Sequence, residues 1–231
     1  MATSMFDISY FGCGACSGMF GVLLSHPFDT IKTIKQNVRK DQNIQKIQYT
    51  PKFLYRGLLP PLIGVGIEKS IVFGVYHNFS LFLKKYIQPQ YIPTISGFVA
   101  GVIISPIIGP IEHIKILLQS RNDNVNNKIS IFSKHLFRGT GATLTREPLG
   151  FAIYFTVYEN IKSIIEKKRN FGAIETFFTG GFTGGFSWIL IYPQDRIKTN
   201  IQNDYTNKST YIGVAKQIYT HEGFKGFYKG F

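Results

Sequence analysis

The chain has 231 residues, 44% of them hydrophobic and 17% charged, a length that suits one or two soluble domains. No window is a clean apolar stretch of transmembrane length, so hydropathy alone does not decide for a membrane. The net charge of +13 excludes an acidic, solvating chain; its bases gather at segment ends (Lys84, Lys85; Lys167, Lys168, Arg169) and form no DNA- or RNA-binding motif, so anionic lipid is the better partner and nucleic acid is not expected.

In chain order, residues 8–38 are predicted as a first helix through Pro27. Cys13-Gly14-Ala15-Cys16 has redox spacing, but it sits among small residues and reads as packing, together with Gly14-x-x-x-Gly18. A polar connector leads to a short amphipathic segment at 51–55 and a second helix over 57–86. The next predicted helix covers 92–120, followed by an Asn-rich connector, a short segment at 129–137 and a helix over 139–168. The last long helix spans 171–202 and carries Gly180, Gly181, Gly184 and Gly185, again a small-residue set for packing. An amphipathic stretch at 211–220 follows. No signal peptide or Arg-rich, acid-poor presequence is recognisable.

One pattern occurs three times. Pro27, Asp29, Lys32 and Gln36 are repeated as Pro110, Glu112, Lys115 and Gln119, and again as Pro193, Asp195, Lys198 and Gln202. The prolines are 83 residues apart both times (110 − 27 and 193 − 110). Such register marks an internal repeat. Within one copy, acid and base at i and i+3 share a helix face and could pair locally. In a three-fold arrangement each acid reaches the base of the next helix: Asp29–Lys115, Glu112–Lys198 and Asp195–Lys32. Helix ends kinked at the prolines and drawn together by charge would then close one end of a central cavity.

The triplicated Pro-x-acid-x-x-Lys with its trailing Gln resembles the mitochondrial carrier family, over nearly the whole chain. The second half of that family's motif stands complete as Glu222-Gly223 with Tyr228-Lys229-Gly230, and is reduced to Tyr55-Arg56-Gly57 and Phe137-Arg138-Gly139. The family often has a second base two residues after the first; Ile34, Leu117 and Asn200 stand there instead. The resemblance implies an all-α membrane protein: three tandem repeats of two transmembrane helices around a central cavity, at 1–90, 91–170 and 171–231. It also implies a sixth helix beginning at Gly230, which the sequence, ending at Phe231, lacks. Implied further are a multi-pass location in the mitochondrial inner membrane (of the host cell for a viral protein), a monomer, and a small-molecule substrate. No cofactor, metal or catalytic residue is implied, and the chain is not read as an enzyme.

The resemblance also assigns sites. Arg56 and Gly57, Arg138 and Gly139, and Lys229 and Gly230 become candidate cardiolipin sites, since a helix N-terminus beside a base suits a phosphate. Tyr158, Glu159 and Lys162 match the gate on the cytoplasmic side, with Glu159 expected to lack a partner in the corresponding helix. Substrate contacts fall seven and eight residues beyond each Gly, on Gly64 and Val65 with Glu68 and Lys69 a turn further, and on Arg146 and Glu147. An adjacent Arg-Glu pair is similar to carriers of amino acids and carnitine, as is Trp188 near Pro193. Heavy use of Ile, Lys and Asn with little Ala is the imprint of AT-rich coding. A compact carrier of this composition is similar to one encoded by a giant DNA virus, a setting suited to nucleotide or deoxynucleotide import, and the composition fits AT-rich protists too. Nucleotides are therefore the first expected substrate class, zwitterions of the amino-acid and carnitine branch the second. A carrier-like scaffold without transport is the rival of another kind.

Overall fold

A computed structural model of the chain describes residues 7–37, 50–55, 57–119, 140–203 and 210–228, with side chains described except at 32–37, 52, 111–119, 140, 142, 199 and 202–203. Among the described residues all regular structure is helical. The helices are α1 (Ser9–Asn37), α2 (Pro51–Leu54), α3 (Leu59–Leu83), α4 (Ile92–Gln119), α5 (Thr140–Glu166), α6 (Ala173–Asn203) and α7 (Tyr211–Glu222). Short 3-10 turns at Pro89–Tyr91 and Phe224–Tyr228, which the sequence pattern did not announce, complete the set. The fold is all-α, as the repeat implied; the segment expected at 129–137 lies outside the described residues.

Helices α1, α3, α4, α5 and α6 have 25 to 31 residues. At 1.5 Å per residue they are about 38 to 46 Å long, more than the roughly 30 Å of a bilayer's hydrocarbon core. By length and composition, α3 and the stretch Pro89–Pro110 can each cross a membrane. Each repeated proline lies inside its helix, and Pro106 and Pro148 lie inside α4 and α5 as well. On α6 the rings of Phe177, Phe178 and Phe182 are exposed, a surface suited to lipid.

The chain forms two compact units, Met1–Gly74 and Val75–Phe231. In the first, α1 lies against α3 at backbone distance. A Cβ on Gly14 would stand 2.5 Å from the Lys69 carbonyl oxygen, and one on Gly18 would stand 2.8 Å from Lys69 Cγ. Gly74 faces the Phe11 ring in the same way, at 2.4 Å. The far half of α1 is fastened to α2: Thr30 Oγ1 donates to the Leu54 carbonyl at 2.8 Å, and buried His26 stacks on Tyr55 at 6.2 Å. Gly57, with φ +79°, makes the turn into α3.

In the second unit the close crossing is between α4 and α5. A Cβ on Gly97 would lie 2.6 Å from the Phe151 carbonyl oxygen, and one on Gly101 only 2.4 Å from Pro148 Cα. This is the small-x-x-x-small packing of membrane helices, and the sequence reading did not single it out. The set it did single out on α6 is not used so: Gly181, Gly184 and Gly185 have open space where a side chain would go, and Gly180 has only Tyr154 Oη at 3.9 Å, among the described residues. Helix α7 docks on α6 by its apolar stripe. Val214 and Ile218, one turn apart, join Ile197 in a buried cluster with Ile201, Tyr211, Ala215 and Phe227. Thr210 caps α7 by accepting from the Gly213 amide at 3.3 Å.

Candidate functional site

The tight seat of α5 on α4 fixes what its middle presents. Gly101 lets the backbone at Glu147 and Pro148 approach α4 directly, and both residues are buried. Neighbours in a helix point about 100° apart and do not normally face each other. Arg146 is long enough to overcome this: its Nη1 donates to Glu147 Oε1 while its Nε donates to Asp195 Oδ1 of α6 at 2.7 Å. The other oxygen of Asp195 accepts from Trp188 Nε1 at 3.3 Å. Side-chain exposure is 27% for Arg146, 24% for Asp195 and 7% for Glu147, so the guanidinium is reachable while Glu147 is not a surface charge. One cation thus holds two carboxylates through charge-assisted hydrogen bonds in a largely desolvated place.

The sequence pattern did not join these residues. The repeat motif gives Asp195 to the gate, with Lys32 as its base, and the resemblance gives Arg146 to substrate; among the described side chains Asp195 meets Arg146, 49 residues away. The side chains of Lys32, Gln36, Glu112, Lys115, Gln119 and Gln202 lie outside the described residues. Of the other gate residues, Asp29 is exposed and accepts from Ser25 Oγ at 3.4 Å, and Lys198 is buried. Trp188, which the resemblance links to the amino-acid and carnitine branch, is half exposed and donates its indole N–H to Asp195.

The other assigned contacts look different. On α3, Glu68 and Lys69 pair with each other at 2.9 Å. Gly64 has open space beside it, and the Val65 carbonyl packs towards Gly18. Glu159 pairs within its own helix with Lys162 at 3.9 Å, because i and i+3 share a face. Tyr158 stacks on Tyr154 and meets Phe171 edge-on.

At the carboxyl end of α7 the half-motif Glu222-Gly223 acquires a mechanical reason. Gly223, at φ +65°, ends the helix, and Glu222 reaches Arg196 of α6 at 3.4 Å. Burial pushes the Tyr211 phenol up, against a hydrogen bond with Thr145 of α5 that acts the other way. Arg56, Arg138, Gly139, Lys229 and Gly230 lie outside the described residues, and Gly57 is set by its turn. No metal-ligand cluster occurs among the described residues.

Three successive stretches, residues 5–87, 89–169 and 170–231, match the family described as "Mitochondrial carrier protein". The chain is 31% identical, over 94% of its length, to the mitochondrial glycine transporter YMC1 of Saccharomyces cerevisiae, of which it covers 81%. It is 28% identical to the mitochondrial arginine transporter BAC1 of Arabidopsis thaliana, over 94% of this chain and 84% of that one. It is also 26% identical to the mitochondrial carnitine carrier of Saccharomyces cerevisiae, over 97% and 80%.

Proposed function

The chain belongs to the mitochondrial carrier family and is a multi-pass transporter of the mitochondrial inner membrane; from that premise we propose that it exchanges amino acids or related zwitterions by alternating access. The observation that carries this reading is the cluster of Glu147, Arg146 and Asp195, which offers both signs of charge within one reach. A zwitterion has a carboxylate for the guanidinium and an ammonium for the acids. A nucleotide's phosphates would meet two carboxylates around a single cation, which is repulsive. Glycine, arginine and carnitine, named for three of the relatives, are all zwitterions. Zwitterions therefore replace nucleotides as the first expected class.

The gate belongs to the same reading. Pro27, Pro110 and Pro193 shape the helix ends, the acids and lysines of the triplicated motif close them, and Gln36, Gln119 and Gln202 brace the pairs. Tyr158, Glu159 and Lys162 serve the cytoplasmic side. Bases at Arg56, Arg138 and Lys229 hold cardiolipin headgroups, and the working unit is a monomer.

The test is counter-exchange in proteoliposomes with radiolabelled glycine, glutamate, arginine, carnitine, carboxylates and nucleotides. Saturable exchange of at least one zwitterion is expected. Exchange of nucleotides alone would overturn the substrate class, and no saturable exchange at all would leave a carrier-like scaffold.

A further inference from the structure

The face of α6 that meets α5 carries a buried amide beside the charged cluster. Ile191 of α6 is the group nearest to Gly150 of α5, 3.9 Å from where a Cβ would stand. The two helices are joined by residues 167–172 and run in opposite directions, so one turn further along that contact Glu147 of α5 comes level with Gln194 of α6. Their chain neighbours Arg146 and Asp195 meet at the same level. Gln194 Oε1 is buried and has no hydrogen-bond partner among the described residues. A buried acceptor left unpaired is costly, and folded proteins seldom keep one without use. In the other two copies of the repeated motif this position holds Phe28 and Ile111, so the amide belongs to the third copy alone. We propose that Gln194 is a specificity-determining residue: its carbonyl joins the carboxylates of Glu147 and Asp195 to receive the N–H groups of a substrate ammonium, so that primary ammonium zwitterions are preferred over quaternary ones. This rests on the exchange reading above and deepens it by naming which zwitterions the site takes.

The selection works by donors. A primary ammonium has three N–H donors, as a lysine head does, and a trimethylated one has none. Three acceptors on two helices match the first; the second carries the same charge but can donate to none of them. Two carboxylates alone would attract either ion, so charge does not discriminate, and the neutral carbonyl of Gln194 supplies the test for a third donor. Arg146 bridges Glu147 and Asp195 and is one-quarter exposed, so a substrate carboxylate can draw the guanidinium to itself and bring the ammonium in beside the amide. Gly150 leaves room there for a small headgroup: among the described residues, Ile191 alone comes within 4 Å of its Cβ position.

The experiment uses the full chain in proteoliposomes and a graded set of competitors: glycine, N-methylglycine, N,N-dimethylglycine and trimethylglycine, which lose one N–H donor at a time and keep the carboxylate. Each competes against exchange of whichever radiolabelled zwitterion the panel identifies. Competition is expected to weaken about fivefold or more from glycine to N-methylglycine, and again at each later methyl group. In Gln194→Met, which keeps the length of the side chain and removes the acceptor, glycine is expected to weaken to within about twofold of N-methylglycine while the later steps persist. Gln194→Asn withdraws the carbonyl by one carbon; it should flatten the same step and serves where the methionine variant fails to fold. Zwitterion exchange in which trimethylglycine competes as well as glycine, or in which glycine does not compete, would overturn the ammonium subsite and leave the exchange reading standing. A graded series whose first step is unchanged in both variants would overturn the part given to Gln194. Exchange of nucleotides alone, or no exchange, would overturn the exchange reading and the subsite with it.

Discussion

Two adjacent acid-base pairs lie on two helices, and the one on α5 bridges to a third residue on another helix. On α3, Glu68 and Lys69 pair at 2.9 Å, with a quarter to a third of each side chain exposed. On α5, Arg146 pairs with its neighbour Glu147 and then with Asp195 on another helix. The difference comes from length and seat. A lysine ammonium is a compact charge with three rotatable donors, whereas a guanidinium carries five donors in a fixed planar fork that can lie against two carboxylates at once. Gly101 in addition lets α5 sit so close to α4 that Glu147 is buried and Arg146 is turned towards α6.

The comparison breaks first at Arg146. Arg146→Ala leaves Glu147 and Asp195 without their shared cation, and removing one member of a buried pair costs roughly 3–5 kcal/mol. Exchange in proteoliposomes should fall about a hundredfold or more, and Arg146→Lys should recover only part of it because the fork is lost. Lys69→Ala, at a more exposed pair, should lower exchange only about two- to fivefold. Equal losses in the two variants would erase the distinction between the two pairs.

The gate comes next. With Glu112 facing Lys198 as proposed, Glu112→Lys alone would set two bases against each other and should impair exchange severely; adding Lys198→Glu should restore part of the activity. A double variant no better than the worse single one would show that these two residues do not pair. The packing contrast is smaller and is read by thermal unfolding. Gly101→Leu overpacks the α4–α5 crossing and should lower Tm by about 10 °C. Gly184→Ala, where a methyl group meets open space, should raise Tm by about 2–3 °C through helix propensity alone. A fall in Tm for Gly184→Ala would mean that α6 is packed at that glycine after all.

What the sequence disclosed and what it hid follow from how far apart the causes lie. Helix limits were legible to within a few residues, because prolines, glycines and charged connectors punctuate them locally. Glu222-Gly223 was legible as a motif, though its work of ending α7 and meeting Arg196 was not. The Gly97/Gly101 crossing was hidden because a small-residue pair says nothing of which face is used; the more conspicuous glycines of α6 face open space. Arg146–Asp195 was hidden for a stronger reason. Each residue already had a role within its own motif, and a contact spanning 49 positions leaves no trace in spacing.

Glu147→Gln tests the zwitterion reading most directly, because it removes a charge while keeping shape and hydrogen-bonding atoms. An ammonium-bearing substrate loses its carboxylate partner, and a phosphate-bearing one loses a repulsion. Half-saturation for exchange of whichever zwitterion the panel identifies should rise about tenfold or more, while any nucleotide exchange stays level or improves. An unchanged half-saturation for the zwitterion, with nucleotide exchange impaired instead, would contradict the account.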